Sequence, residues 1–167
     1  MSIKPEDLKL EDVHRTLRAM QTWKTELTSI NVTPESVTTM YGDCAELKGT
    51  LATESVYTPK GIEEYFTHLL NQTADQQIGV VFNSIATNKD FDGCVGHYTF
   101  SFQNKDNDRT DLSAIFEFKK DNLTNGIGFH HSYKEDETPE ELSAQLPDDY
   151  KDFEDDEPDA LDSIDLG

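Results

Sequence analysis

From residue 77 onward the chain changes period, and that change limits its folds more than any other feature. Residues 77–86, 93–103, 110–120 and 126–133 are runs rich in β-branched and aromatic side chains, which suit a pleated, half-buried surface. Between them lie Asn88 to Gly93, Lys105 to Arg109 and Asn122 to Gly126, segments with the composition of turns. Links this short join neighbouring strands antiparallel, because a parallel return needs a crossover of a dozen or more residues.

The first 72 residues have a helical texture instead. Residues 5 to about 30 place Leu10, Val13, Leu17, Met20, Trp23, Leu27 and Ile30 at steps of three and four, the mark of an amphipathic helix. Thr33-Pro34-Glu35 opens a second, shorter helix with a capping hydroxyl, a proline at the first helical position and an acid in the first turn. Val37, Met40 and Tyr41 form its buried stripe, and Gly42 ends it. Residues 44–51 alternate as a strand. Thr58-Pro59 then caps a third helix with Ile62, Tyr65, Phe66, Leu69 and Leu70 on one face, so Tyr65 is aimed inward. The predicted class is α+β: three N-terminal helices packed on a curved antiparallel sheet, one domain spanning residues 5–143.

Residues 144–167 are expected to be a disordered acidic tail. From Pro147 they carry ten acids against one lysine, too little apolar surface to offset the entropy of ordering. The whole chain of 167 residues has 34 acidic and 14 basic side chains, a net charge of −20. Phosphate-backbone binding needs clusters of Lys and Arg, so nucleic acid and anionic membranes are not expected partners. A basic protein is the partner such a tail would suit. Cys44 and Cys94 are far apart and are expected to be free, buried thiols. The charged start and the lack of a long apolar run point to a soluble protein, cytoplasmic, or of an organelle stroma if a transit peptide was removed.

Few motifs carry chemistry. Asn88 to Gly93 imitates the first half of a calcium loop, but the twelfth position is Thr99 where a bidentate Glu is required, so it is a hairpin loop. His14, His68, His97, His130 and His131 are the five histidines. Adjacent strand residues point to opposite faces, so His130 and His131 do not share one metal, and a three-histidine zinc site is not expected. What remains is a hydroxyl-rich pocket. Tyr98, in GHYTFSF, shares its face with Phe100 and Phe102. Ser132 shares a face with His130, while Phe129, His131 and Tyr133 share the other; apolar counting places His131 toward the core and Ser132 away from it.

The ordered set TPESVTTMYGDCAELKGTLA, GIEEYFTHLL, GHYTFSF, AIFEFKK and GIGFHHSYKEDETPEEL resembles the family joining the calcium/calmodulin-dependent kinase II association domain with SgcJ/EcaC-type proteins. These are nuclear-transport-factor-2-like, cystatin-like cones, and the likeness covers residues 13–141. The closing Phe129-His130-His131-Ser132-Tyr133 resembles the three histidines and two serines of the iota-class carbonic anhydrases, with three of five positions in agreement.

The resemblance implies a homodimer and reversible hydration of carbon dioxide to bicarbonate. Thr50, Tyr65 and Ser132 would bind the substrate with Tyr98 nearby, and His130 or His131 would assist proton movement. No cofactor is implied; the class has metal-free and metal-assisted members, so a metal is possible but not implied. The chain departs from the family at Gly49 and Ala52, where a Pro and a Ser are common, and at Val56 and Ile115, where an Arg is common. The alternative function is a non-catalytic dimeric association module whose acidic tail holds a partner. A third, an isomerase or cyclase, would need a pocket carboxylate, for which Glu46 and Glu117 are the strand candidates.

Overall fold

The computed structural model describes residues 5–73, 78–103 and 108–146. Helix α1 (Pro5–Leu27) is followed by α2 (Pro34–Thr38), strand β1 (Tyr41–Lys48), helix α3 (Pro59–Gln72) and strands β2 (Gly79–Thr87), β3 (Gly93–Gln103), β4 (Arg109–Lys120) and β5 (Ile127–Lys134). A single 3-10 turn (Glu135–Glu137) and helix α4 (Glu140–Ser143) close the described chain. Four α-helices are therefore present among the described residues, where three were expected. The first helix ends at Leu27, and Ile30 is 84% exposed outside its stripe.

The helix starts follow from local chemistry. The Thr33 side chain accepts from the Ser36 amide while Ser36 Oγ accepts from the Thr33 amide, a reciprocal cap in front of Pro34. Thr58 Oγ1 accepts from the Gly61 amide at 3.0 Å, again with proline at the first helical position.

The sheet corrects the expectation of an all-antiparallel arrangement. Its order is β1-β5-β4-β3-β2. The last four strands form the expected meander, but β1 adds to β5 in parallel. This is possible because β1 and β5 are not joined by a turn: α3 and three strands lie between them, which supplies the long return a parallel pair needs. Between Tyr41 and Glu46 the register shifts: β1 advances five positions while β5 advances from Ile127 to Phe129. Such a bulge re-aims the side chains that flank it.

Helix α1 lies across β3 and β4, and α3 packs on β1. Trp23 sits at the centre of the core, 5.9 Å from the ring of Tyr98, 5.3 Å from Phe118 and 5.2 Å from His130. The opposite face carries a second small cluster, Val95, Ile115, Leu142 and Leu146. Packing continues through Leu146, so residues 144–146 belong to the fold and not to the tail expected at 144–167; the rest of that tail, residues 147–167, lies outside the described residues. Both cysteines are free, Cys94 buried and Cys44 exposed, which corrects the expectation that both are buried. Among the described residues no helix is long and apolar enough to cross a membrane.

Candidate functional site

The core between the sheet and α3 is crossed by one chain of polar side chains. On β5, His130 and Ser132 alternate with His131 and point into the core, 3% and 0% exposed. This corrects the face expected from apolar counting. Phe129 and Tyr133 look like core residues, yet they lie on the outer face, where Lys119 covers Phe129 at 5.2 Å and Lys48 covers Tyr133 at 4.4 Å. His131 stacks on Phe129 on that outer side and bonds Glu46 Oε2 through Nε2 and Tyr133 Oη through Nδ1. It is separated from the pocket by the sheet.

Within the core, His130 Nδ1 lies 2.7 Å from Tyr41 Oη and His130 Nε2 lies 3.0 Å from Tyr98 Oη. Tyr98 donates to Ser132 Oγ at 2.7 Å, and Ser132 Oγ meets Thr50 Oγ1 at 2.5 Å. The β1 bulge is what lets Tyr41 and Thr50, nine positions apart, engage His130 and Ser132, two positions apart.

Proton positions along this chain follow by counting donors. The Tyr98 hydrogen is committed to Ser132, so Tyr98 accepts from His130, which places the imidazole hydrogen on Nε2. His130 Nδ1 then accepts from Tyr41. Ser132 is fully buried and already accepts from Tyr98, so its own hydrogen goes to Thr50. Every hydrogen in the chain then points the same way, toward Thr50. Burial holds His130 well below the ordinary imidazole pKa, with His131 adding to the effect, so the ring is neutral and the polarity is fixed.

That pocket is lined by Thr50, Leu51, Tyr65, Leu69 and Phe100, among others, and has about 10 Å³ of free space. This is about the least that accommodates one water. Tyr65 reaches it from α3, as its helix face predicts. Burial pushes its phenol up to about 12, opposed by the Leu51 amide, which donates to the phenolic oxygen. Tyr65 therefore keeps its hydrogen at neutral pH and has it free to donate. Thr50 and Tyr65 line the pocket; Ser132, Tyr98 and His130 stand behind Thr50 and orient it without reaching the cavity. Among the described residues no group of three or more His, Cys, Asp or Glu side chains is placed to hold a metal ion.

Gly49 explains why Tyr65 can be there. A Cβ at residue 49 would lie 2.0 Å from the Tyr65 ring, far inside van der Waals contact. Gly49→Ala is expected to push the ring out of the pocket at a cost of about 1–3 kcal/mol. A drop in melting temperature of that size checks this; an unchanged melting temperature contradicts it.

Comparison with solved structures places this geometry in a known scaffold. A protein from Xanthomonas campestris described as a calcium/calmodulin-dependent protein kinase II association domain is 27% identical, with a TM-score of 0.55 over 74% of this chain and 86% of its own. An NTF2-like protein of unknown function from Exiguobacterium matches at a TM-score of 0.59 and 7% identity, over 71% and 98% of the two chains. The chain has the nuclear-transport-factor-2-like cone fold. A Mycobacterium tuberculosis protein in complex with estradiol-17beta-hemisuccinate shares the cone at a TM-score of 0.58 and 9% identity, over 77% and 96%. No protein-family model matches the chain, and no curated protein does.

Within the cone, the two missing arginines have different meanings. Val56 pairs with Leu47 through two backbone hydrogen bonds beside the pocket mouth, so a cation there would face the site. Ile115 packs with Val95, Leu142 and Leu146 on the opposite face of the sheet, so its side chain has no route to the pocket. The sequence alone left three participants unmarked. Tyr41 looked like part of a helix stripe, Gly49 like a departure from the family, and the Leu51 amide carries no side-chain signal.

The histidines make stability depend on pH. His130, His97 and His131 all have pKa values lowered in the fold, first of all by burial. A lowered folded pKa means the unfolded chain binds more protons once pH falls below about 6.5. Their neutral forms therefore contribute stability above that pH, and it is lost progressively as pH falls from about 6.5 toward the folded values. The melting temperature is expected to be flat above pH ~7 and to drop below it; a rise on acidification through that range contradicts the assignment.

Proposed function

We propose that the Thr50–Tyr65 pocket hydrates carbon dioxide reversibly, as the likeness to iota-class carbonic anhydrases implies. The observation that carries this reading is the pair of hydroxyl-bearing residues, Thr50 and Tyr65, in the wall of an apolar space for about one water. When water attacks carbon dioxide, negative charge develops on the carboxylate oxygens. Fixed donors in a desolvated site stabilise that charge without reorganising, with the pocket holding one water and carbon dioxide approaching it from the adjoining space of about 280 Å³ beside Leu51 and Tyr65. The Tyr98–Ser132–Thr50 chain keeps the threonine donor in place.

Cavity size and wall chemistry argue against the other readings that would use this pocket. Drug-sized ligands need roughly 300–1,000 Å³, so a steroid-sized molecule has no room in about 10 Å³. An isomerase or cyclase needs a carboxylate on the wall. Glu46 bonds the outer-face His131, and Glu117 accepts from Asn88 Nδ2, so neither is among the pocket's lining residues. The 27% identity to the described association domain favours a second reading, a dimeric association module in which the polar chain has only a structural role. Stopped-flow carbon dioxide hydration separates the two: catalysis lost in Tyr65→Phe supports the first, and a rate no greater than buffer leaves the second.

A further inference from the structure

Helix α1 carries Arg15, Arg18 and Thr22 at steps of three and four, which sets all three along one stripe of the helix. That stripe is one wall of a groove of about 260 Å³; the facing wall holds Thr39 and Met40, between α2 and β1, and Asn125 from the β4–β5 turn. The chain has three arginines in all, and two of them line this groove. In a chain of 34 acids, no carboxylate is among its lining residues. The groove shares no lining residue with the Thr50–Tyr65 pocket, so its chemistry is independent of carbon dioxide hydration.

The facing wall is preorganised. The Ile127 amide donates to the Met40 carbonyl at 2.8 Å, and only a glycine at 126 lets the turn lie so close, since a Cβ there would sit 2.7 Å from that carbonyl oxygen. Asp121 Oδ2 ties the turn from within, accepting from the Leu123 and Thr124 amides and from the Thr124 hydroxyl. Asn125 is thereby held at the groove.

Donors and acceptors in the groove are divided. Arg15 gives one N–H to Glu11 at 2.8 Å, and among the described residues the Arg18 guanidinium has no hydrogen-bond or ion-pair partner. The threonines have spent their hydrogens on backbone: Thr22 Oγ1 donates to Arg18 O at 3.0 Å and Thr39 Oγ1 to Ser36 O at 2.8 Å, so both can only accept. The groove thus offers cationic forks and a carboxamide to an oxyanion, and lone pairs to a hydroxyl beside it. Guanidinium forks match phosphate oxygens, and the three terminal oxygens of a phosphate can meet donors on both walls, where a flat carboxylate has two. The volume lies below the roughly 300–1,000 Å³ of drug-sized sites, so the ligand is small. We infer that the groove between α1 and the β4–β5 turn binds a small phosphate monoester bearing a free hydroxyl group, with Arg18 as its main anchor.

The test is calorimetric titration of the full chain with glycerol 3-phosphate at about 0.15 M salt, where the field of the −20 net charge is screened beyond about 8 Å. Saturable one-site binding is expected. Arg18→Ala weakens it at least about tenfold with the melting temperature unchanged, because the side chain is exposed. Arg109→Ala removes the same charge outside the groove, where Arg109 pairs with Asp111, and leaves the affinity unchanged. Glycerate, with a carboxylate in place of the phosphate, binds at least about tenfold more weakly. No saturable binding, an unchanged affinity in Arg18→Ala, or an equal loss in the two variants overturns the site. Glycerate binding as tightly as glycerol 3-phosphate overturns the assignment of phosphate.

Discussion

Tyr65→Phe is expected to abolish most carbon dioxide hydration, by about 100-fold or more, while leaving the melting temperature nearly unchanged. The magnitude is that of removing one preorganised donor from a site where negative charge develops. The phenol is suited to this role because burial raises its pKa to about 12 and the Leu51 amide occupies its oxygen, so its hydrogen remains available. Little stability should be lost, because the ring, which packs 5.1 Å from Phe66, is retained. Stopped-flow kinetics and a thermal melt on the same preparation check both halves. A variant with normal activity contradicts the donor role; one that is inactive because it is unfolded shows Tyr65 to be a packing residue.

His130→Ala should have the largest effect on stability, about 3–5 kcal/mol. It removes a buried ring stacked 4.0 Å from Phe118 and leaves the Tyr41 hydroxyl without its acceptor. For a domain of this size that corresponds to roughly a 10 °C drop in melting temperature. Adding Tyr41→Phe removes the stranded hydroxyl, so the double variant is expected to recover part of the loss. If the two changes are simply additive, the buried chain is not the coupled unit described above.

The α+β class was legible because it depends on local signals. Turn residues after 87, 103 and 120 and the caps at Thr33 and Thr58 act within a few positions of themselves, and those elements appear near where they were expected. The β1–β5 pairing was not legible, since a parallel contact between the second and the fourth fifth of the chain leaves no local mark. The bulge between Tyr41 and Glu46 has the same status, and the site depends on it. The facing of β5 was misjudged for a physical reason: an outer face covered by lysine side chains and by α4 tolerates Phe129 and Tyr133, so apolar counting loses its meaning there. Thr50, Tyr65 and Ser132 were reached through resemblance. The structure brings them together but assigns them unequal places, two at the cavity and one behind it.

The central claim is that oriented hydroxyl donors in this pocket hydrate carbon dioxide. It is tested most directly by the stopped-flow rate of the full chain, with and without a strong chelator. With hydroxyl donors stabilising the developing charge, the account predicts a rate well above the buffer blank that chelator leaves unchanged. A rate equal to the blank, or one that disappears with chelator, contradicts it.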